Sequence, residues 1–257
     1  MTSKTKILLT IALLPIAIVF LFVDPLPQWP EYHQFADRRT LFGIPNAHNV
    51  ISNLGLLIVG VWGTLFILSL RGRVATGDLQ IPYRVFFIGL ILTGFGSGYY
   101  HYAPGSQTLI WDRLPMTIMF MGLFTSITGE IINPRAAVRL LLPLLAVGIG
   151  SVLWWAWTES IGAGDLRLYA LVQFVPPVLI VFMLIAYPAP THFVPYIVAI
   201  LLLYMLAKLC EQFDSHIYTM LGGMSGHALK HWVSAAASAS ILLMLLRRAR
   251  CSEVGGD

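Results

Sequence analysis

Charged residues are scarce in this chain, and their scarcity excludes an ordinary soluble protein. Only 11% of the 257 residues are charged, whereas 57% are hydrophobic, and the mean hydropathy is +0.77. A soluble globular domain carries about 25% charged residues. We therefore predict an all-α integral membrane protein that crosses the bilayer several times.

Cysteines are also rare, with Cys210 and Cys251 the only two. The topology inferred below places them near opposite faces of the bilayer, too far apart for a disulfide. The chain also lacks internal repeats, low-complexity tracts and any sign of a separate soluble domain. These absences argue against a disulfide framework and leave the membrane-spanning segments to build any site.

Eight segments are long and apolar enough to cross a membrane, which requires about 20 mostly apolar residues per helix. They are residues 7–23, 49–70, 83–103, 114–132, 137–157, 167–187, 193–211 and 227–246. The first follows Lys4 and Lys6, as the apolar core of a signal peptide would. However, the sequence FVDPLPQWP after it has no small-x-small cleavage site. We therefore predict that this segment is a retained transmembrane helix.

The positions of the cationic residues predict the orientation. With the N-terminus in the cytoplasm, the inner side holds Lys4, Lys6, Arg71, Arg73, Arg84, Arg135, Arg139, Arg247, Arg248 and Arg250. The outer side then holds Arg38, Arg39, Arg113 and Arg167. Cytoplasmic loops carry the excess of positive charge in membrane proteins. We therefore predict this orientation, and eight spans then place both termini in the cytoplasm.

Five polar residues fall at one depth in this topology. Ser97 and His101 end the third predicted span, Asp112 begins the fourth, and His227 and His231 begin the eighth. All five lie in the outer half of the bilayer, on the periplasmic, extracellular or lumenal side. Ionisable residues within spans are costly and usually face the interior of the bundle. We therefore expect these residues to share one site.

The histidines among them indicate a metal site. His227 and His231 are four residues apart, so both rings lie on one face of a helix and can bind one ion. His101 would supply a third imidazole and leave a fourth position for water, as in catalytic zinc sites. Zinc lowers the pKa of its bound water to about 7. Asp112 could then serve as general base and acid, and Ser97 could donate to the oxyanion.

Simpler interpretations of the same residues stay open at this point. The histidines could be interior groups hydrogen-bonded to neighbouring helices, or, for His101, an interfacial residue among tyrosines. Asp112 could pair with Arg113 or cap its helix. Ser97 could be a small packing residue, because the glycines at 94, 96 and 98 would let another helix approach closely.

Other polar groups lie near the same end of the predicted bundle. Lys208 and Glu211 are three residues apart and could form an ion pair. Lys230 could reach Glu211 or Asp214. Two further histidines near the outer surface could replace one of the three ligands: His48 and His216.

The spacing of the five site residues resembles a known family. It reads Ser-x3-His, then an Asp eleven residues after that His, then His-x3-His on the last helix, here Ser97, His101, Asp112, His227 and His231. Three segments add to the pattern: GSGYYH, WDRLPM and NVISN. Together they resemble the alkaline ceramidases, within the superfamily that also holds the adiponectin and progestin receptors.

The resemblance covers most of the chain and implies a domain organisation. Residues 37–246 would form the family's seven-helix core, a ceramidase-like hydrolase. Residues 1–36 would add an N-terminal transmembrane helix and a linker. Residues 247–257 would form a short basic cytoplasmic tail.

The resemblance also implies an activity. We expect a zinc-dependent intramembrane amidohydrolase that cleaves a ceramide-like N-acyl lipid into a sphingoid base and a fatty acid. The three histidines would bind Zn²⁺, Asp112 would be the general base and then acid, and Ser97 would stabilise the oxyanion. The expected partners are a membrane-lipid substrate and the bilayer itself, with no nucleic acid.

Animal members of the family also carry a calcium site before the first core helix, in a segment rich in Asp and Glu. The comparable segment here, ADRRTLFGIPNAHN, has Asp37 as its single acid, and Asn46 stands about where a Glu would be. Fewer anionic ligands lower calcium affinity. We therefore do not predict the Ca²⁺ site of the animal relatives.

Functions of other classes compete with the hydrolase. A zinc-containing receptor or lipid-binding protein without hydrolase activity is the main alternative, although the short loops offer little surface for signalling. A transporter fits less well, because the ionisable residues collect at one depth instead of forming a path across the membrane. A haem protein also fits poorly, because axial histidines usually come from different helices.

Overall fold

The computed structural model describes residues 2–254, and its regular structure there is helical apart from one isolated bridge between Leu41 and Ile44. The helices are α1 (Ser3–Phe22), α2 (Ala47–Ile51), α3 (Leu54–Leu68), α4 (Leu70–Thr76), α5 (Gln80–Tyr102), α6 (Ser106–Ile131), α7 (Pro134–Ser160), α8 (Arg167–Ala186), α9 (Val194–Gln212), α10 (Asp214–Leu221) and α11 (Gly226–Val254), with short 3₁₀ turns at Pro30–His33 and Gly77–Leu79.

Within the described residues, eight helical segments are long and apolar enough to span a membrane, which confirms the prediction of an all-α multi-pass protein. Two of them are composite. One joins α2 and α3 across a break at Ser52 and Asn53, and the other joins α4 and α5. The orientation of the termini stays a prediction from the charge pattern.

Two boundaries of the predicted spans differ from the helix ends in the structure: the start of the fourth span and the end of the eighth. The fourth span was expected from residue 114, but α6 begins at Ser106 after a loop of residues 103–105. Asp112 therefore lies inside α6 and does not cap it. The intervening sequence SQTLIWDR mixes polar with apolar residues, which lowers hydropathy without interrupting helix formation. Similarly, α11 continues through much of the predicted tail, whose last residues, 255–257, lie outside the described part of the chain.

The helices form a bundle with a cavity inside it. α5 packs against α3 and α6, α6 against α7 and α8, and α11 against α9, α3 and α4. The main apolar core lies between these helices, with Phe86, Phe87 and Leu90 of α5 at its centre. A smaller core, containing Tyr100 and Trp155, lies toward the end where α5 finishes and α11 begins.

Helix α1 lies outside this bundle. None of its residues is buried, and it packs against α8. Lys4 Nζ donates to the carbonyl of Ala186 at 2.5 Å, and at the other end Arg167 Nη1 donates to the carbonyl of Val23 at 2.7 Å. These contacts fix both ends of α1 against α8.

Glycines of α5 allow its neighbours to approach closely at two of the three predicted positions. A Cβ at Gly94 would meet the side chain of Leu57 on α3, and one at Gly96 would overlap the backbone carbonyl of Trp111 on α6. Gly98 has no heavy atom within 4 Å of the same position. Gly96 is therefore required by the α5–α6 contact, and Gly98 is not.

This difference gives a matched test of the packing. Gly96→Ala should lower the free energy of unfolding by about 1–3 kcal/mol, because a backbone carbonyl cannot move aside as a flexible side chain can. Gly98→Ala should be neutral or stabilising by up to about 1 kcal/mol, because alanine is the better helix former. Thermal unfolding of both variants in detergent measures the difference, and equal effects would contradict the close approach of α5 and α6.

Candidate metal centre

The start of α11 is fixed by two caps, which set the direction of its histidines. Ser225 Oγ accepts from the backbone N–H of Ala228 at 3.0 Å, as an N-cap residue does. Asp214 Oδ1 accepts from the backbone N–H of His227 at 2.7 Å. With the helix begun there, the His227 and His231 rings share one face, with centroids 5.3 Å apart.

His101 completes a cluster of three imidazoles. It lies in the last turn of α5, and Asn46 Nδ2 donates to its backbone carbonyl at 2.9 Å. Its ring centroid is 4.7 Å from that of His227 and 4.9 Å from that of His231. All three histidines are buried, with at most 5% of each exposed. The structure thus brings together three residues that are up to 130 positions apart in sequence (231 − 101).

The geometry of the cluster fits one metal ion. A tetrahedral ion with bonds of about 2.0–2.1 Å to imidazole nitrogens holds neighbouring ligand atoms about 3.3 Å apart. His101 Nε2 and His227 Nε2 are 3.3 Å apart, and the ligand nitrogens of all three residues lie within 4.8 Å of one another. The cluster could therefore hold a metal ion.

A hydrogen bond from α2 orients His231. Ser52 Oγ donates to the carbonyl of Asn49 at 3.0 Å and lies 2.7 Å from His231 Nδ1. With the hydroxyl proton directed to the Asn49 carbonyl, Oγ can accept from Nδ1–H of His231, and the lone pair of that ring is then on Nε2. Ligating histidines are commonly held through their second nitrogen in this way.

Asn49 connects this support to the rest of the site. Its Oδ1 accepts from Ser225 Oγ at 3.2 Å, and its Nδ2 donates to the carbonyl of Asp37 at 3.1 Å. In the sequence, the segment NVISN indicates only a resemblance to the family. Nothing in its spacing predicts contact with a histidine 179 residues away, because that contact depends on tertiary packing.

An aromatic residue of the linker after α1 packs on the cluster. The Phe35 ring is 4.8 Å from that of His101 and 4.7 Å from that of His227, centroid to centroid, and 4% of Phe35 is exposed. Sequence reasoning missed this residue. The linker sequence PLPQWPEYHQF is rich in proline and aromatic side chains, which is a weak signal for a segment that lies against the bundle.

Ser97 and Asp112 lie at the polar end of a large cavity that His231 also lines. Both residues are buried, and both line this one cavity. Asp112 forms no ion pair with Arg113 within the described residues. The structure therefore places both predicted residues in the chamber that reaches the histidines.

The cavity has a volume of about 420 Å³, within the usual range of ligand sites. Away from the histidines its lining is mostly apolar, with Leu123, Phe124, Ile180, Ile200 and Leu201 among its walls. A second cavity of about 390 Å³ is lined by His227 and shares Tyr32 and Glu211 with the first. The histidine cluster thus borders both cavities, through His231 in the first and His227 in the second.

The neighbouring charges are arranged largely as the sequence predicts. Lys208 Nζ and Glu211 Oε2 form the expected ion pair at 2.9 Å. Lys230 Nζ reaches Glu211 Oε1 at 2.5 Å, so one carboxylate serves two ammonium groups. Asp214 accepts backbone N–H groups instead, from His227 and from Ala36 at 2.9 Å.

The two histidines considered as replacement ligands lie outside the cluster. His216 is exposed and lines the second cavity. His48 Nδ1 lies 2.8 Å from Asp37 Oδ2. Neither belongs to a group of metal-binding geometry within the described residues.

Both carboxylate oxygens of Asp37 accept hydrogen bonds. Arg39 donates to Oδ1 from Nε at 2.9 Å and to Oδ2 from Nη2 at 2.7 Å, and these hydrogen bonds hold the pKa of the Asp37 carboxyl below its ordinary value. Arg39 Nη2 also donates to the carbonyl of Gly223 at 2.6 Å. Asp37 and Arg39 therefore tie the segment before α2 to the loop before α11.

Comparison with known proteins adds no family assignment. No model of a known protein family matches the chain, and no curated protein matches it either.

Removing a ligand or its support should have graded effects on metal binding. His231→Ala should abolish stoichiometric binding of Co²⁺, used as a probe with a characteristic tetrahedral absorption. Ser52→Ala should weaken it by about 10–100-fold, the usual cost of losing such a support. His216→Ala is the matched control and should bind as the wild type does. Equal cobalt affinity in all four proteins would contradict the site.

Proposed function

We propose that the protein is a zinc-dependent intramembrane amidohydrolase acting on a ceramide-like N-acyl lipid. The main support for the proposal is one cavity that is lined both by the candidate site residues and by apolar side chains. Its polar end holds Ser97, Asp112 and His231, whereas its remaining walls are apolar. A lipid amide needs both features, because its tails must be kept from water while its carbonyl meets polar groups.

The residues divide the chemistry among them. His101, His227 and His231 would hold Zn²⁺, since three imidazoles with one open position are typical of catalytic zinc. When bound, zinc supplies a water of lowered pKa and polarises the carbonyl. Asp112 would accept a proton from the water that attacks the amide carbon and would then deliver it to the leaving nitrogen. The C–O bond forms, the C–N bond breaks, and an amine and a carboxylate result.

Ser97 acts on the oxygen of the reacting carbonyl. Its hydroxyl lies beside Asp112 and in the wall of the cavity. Charge develops on the carbonyl oxygen in the tetrahedral intermediate, and a donor already in place stabilises that charge without rearranging.

The substrate would enter from the bilayer between α8 and α9. α8 packs against α6 and α7, whereas α9 packs against α11, and the cavity extends between the two groups. Both helices line it, with Gln173, Pro176, Ile180, Ile200, Tyr204 and Ala207. Tyr204 Oη bonds the carbonyl of Gln173 at 3.4 Å across this gap, a weak contact that can open for a lipid.

Hydrolysis and metal content together test the proposal. Asp112→Asn should lower kcat on a short-chain ceramide by about 10²–10⁴-fold, because proton transfer to the leaving amine is lost, while zinc content stays at the wild-type level. Asp78→Asn, an exposed carboxylate near the start of α5, is the matched control and should keep full activity. Zinc per chain and fatty-acid release are measured on the same preparations.

Two outcomes would count against the hydrolase. One is bound zinc with no cleavage of any N-acyl lipid, which would favour a zinc-containing receptor or lipid-binding protein. The other is cleavage that Asp112→Asn leaves unchanged.

A further inference from the structure

Arg113 is a buried cation in the wall of the large cavity. It lies next to Asp112 on α6, and 5% of it is exposed. It forms no ion pair with a carboxylate of the described residues. An unpaired charge of this kind is costly to bury, so its place in the wall of the cavity needs a reason.

The guanidinium is held in position mainly by neutral groups. Its Cζ lies 4.4 Å from the ring centroid of Trp155, 4.9 Å from that of Tyr169 and 5.4 Å from that of Tyr32. Nη2 donates to Gln28 Oε1 at 2.6 Å. Aromatic faces attract a cation without neutralising its charge. The side chain is therefore held in place, but its positive charge is not neutralised.

One edge of the guanidinium is unused. Nη1 is buried and has no hydrogen-bond partner among the described residues, although a guanidinium nitrogen carries two N–H donors. Gln28, which accepts from Nη2, and Tyr32, whose ring lies against the guanidinium, line the same cavity as Arg113. Because Arg113 is among the residues that line the cavity, an oxygen-bearing ligand bound there can approach this side chain.

The charged side chains at the polar end of the cavity include more cations than carboxylates. Lys208 and Lys230 are both engaged with Glu211, so this group already carries more positive than negative charge. Asp112, the residue before Arg113, supplies a second carboxylate to the wall of the cavity. The polar end of the cavity thus has three cationic side chains and two carboxylates, an excess that favours an anionic occupant.

We propose that Arg113 binds an anionic head group of the lipid substrate, placed next to the amide that is cleaved. The substrate class would be N-acyl lipids with a carboxylate or sulfonate beside the amide, such as N-acyl amino acids, in preference to neutral ceramides. This inference rests on the proposed amidohydrolase and specifies its substrate. A guanidinium is suited to the role because its planar donors match the oxygens of such anions.

Binding can be measured without turnover by using sulfonamide analogues, which have no carbonyl carbon to attack. Two probes share one hexadecyl chain and differ in the head group, which is glycine in one and ethanolamine in the other. Calorimetry of the full-length protein in a neutral maltoside detergent should show about tenfold or tighter binding of the glycine probe, as expected for charge-assisted hydrogen bonds. Inorganic phosphate alone should not displace it.

Variants assign the preference to Arg113. Arg113→Gln should reduce the preference for the glycine probe over the ethanolamine probe to about twofold, because each charge-assisted contact is lost. Arg113→Lys should keep part of this preference. Arg38→Gln removes an equal charge from an exposed residue near the same end of the bundle and should leave the preference unchanged. Equal binding of the two probes by the wild-type protein would overturn the inference whether or not any variant folds. So would an undiminished preference in Arg113→Gln, or displacement by phosphate alone.

Parallel hydrolysis assays separate this inference from the proposed function. Cleavage of N-hexadecanoylethanolamine with equal binding of the two probes would leave the hydrolase standing and refute the anion site. Preferential binding of the glycine probe, with no cleavage of N-hexadecanoylglycine or of any other N-acyl lipid, would support the anion site and refute the hydrolase.

Discussion

The burial of three imidazoles at one end of an apolar bundle is the constraint on which the structure around them depends. Polar groups removed from water need partners, and Nδ1 of His101 has no hydrogen-bond partner among the described residues. His101 comes from α5, and His227 and His231 from α11, two helices that also pack on α3 between them. A metal ion shared by the three nitrogens would satisfy all of them at once, and would join the two helices.

Several features near this end serve to place the rings. Ser225 and Asp214 fix where α11 begins, Ser52 fixes one ring nitrogen of His231, and Phe35 covers the cluster. None of these residues lies in a long regular helix except at its end. Breaks and linkers therefore carry the positioning groups, while the long helices supply the rigid frame.

The sequence predicts the helices and the candidate ligand residues better than it predicts the residues that hold those ligands in position. Apolar runs require helices in a membrane, so eight spans could be read directly, and the i, i+4 spacing of His227 and His231 put both rings on one face. The start of α6 was missed because polar residues there lower hydropathy. Phe35 and Ser52 could not be foreseen, because each acts across the bundle through contacts that no local pattern encodes.

X-ray absorption at the zinc edge of the purified full-length protein tests the central claim most directly. The cluster of three buried histidines predicts one zinc per chain, bound by three imidazole nitrogens and one oxygen at about 2.0–2.1 Å, as in catalytic zinc sites. A protein that binds no zinc when supplied with it, or a first shell without the multiple scattering of imidazole rings, would contradict it.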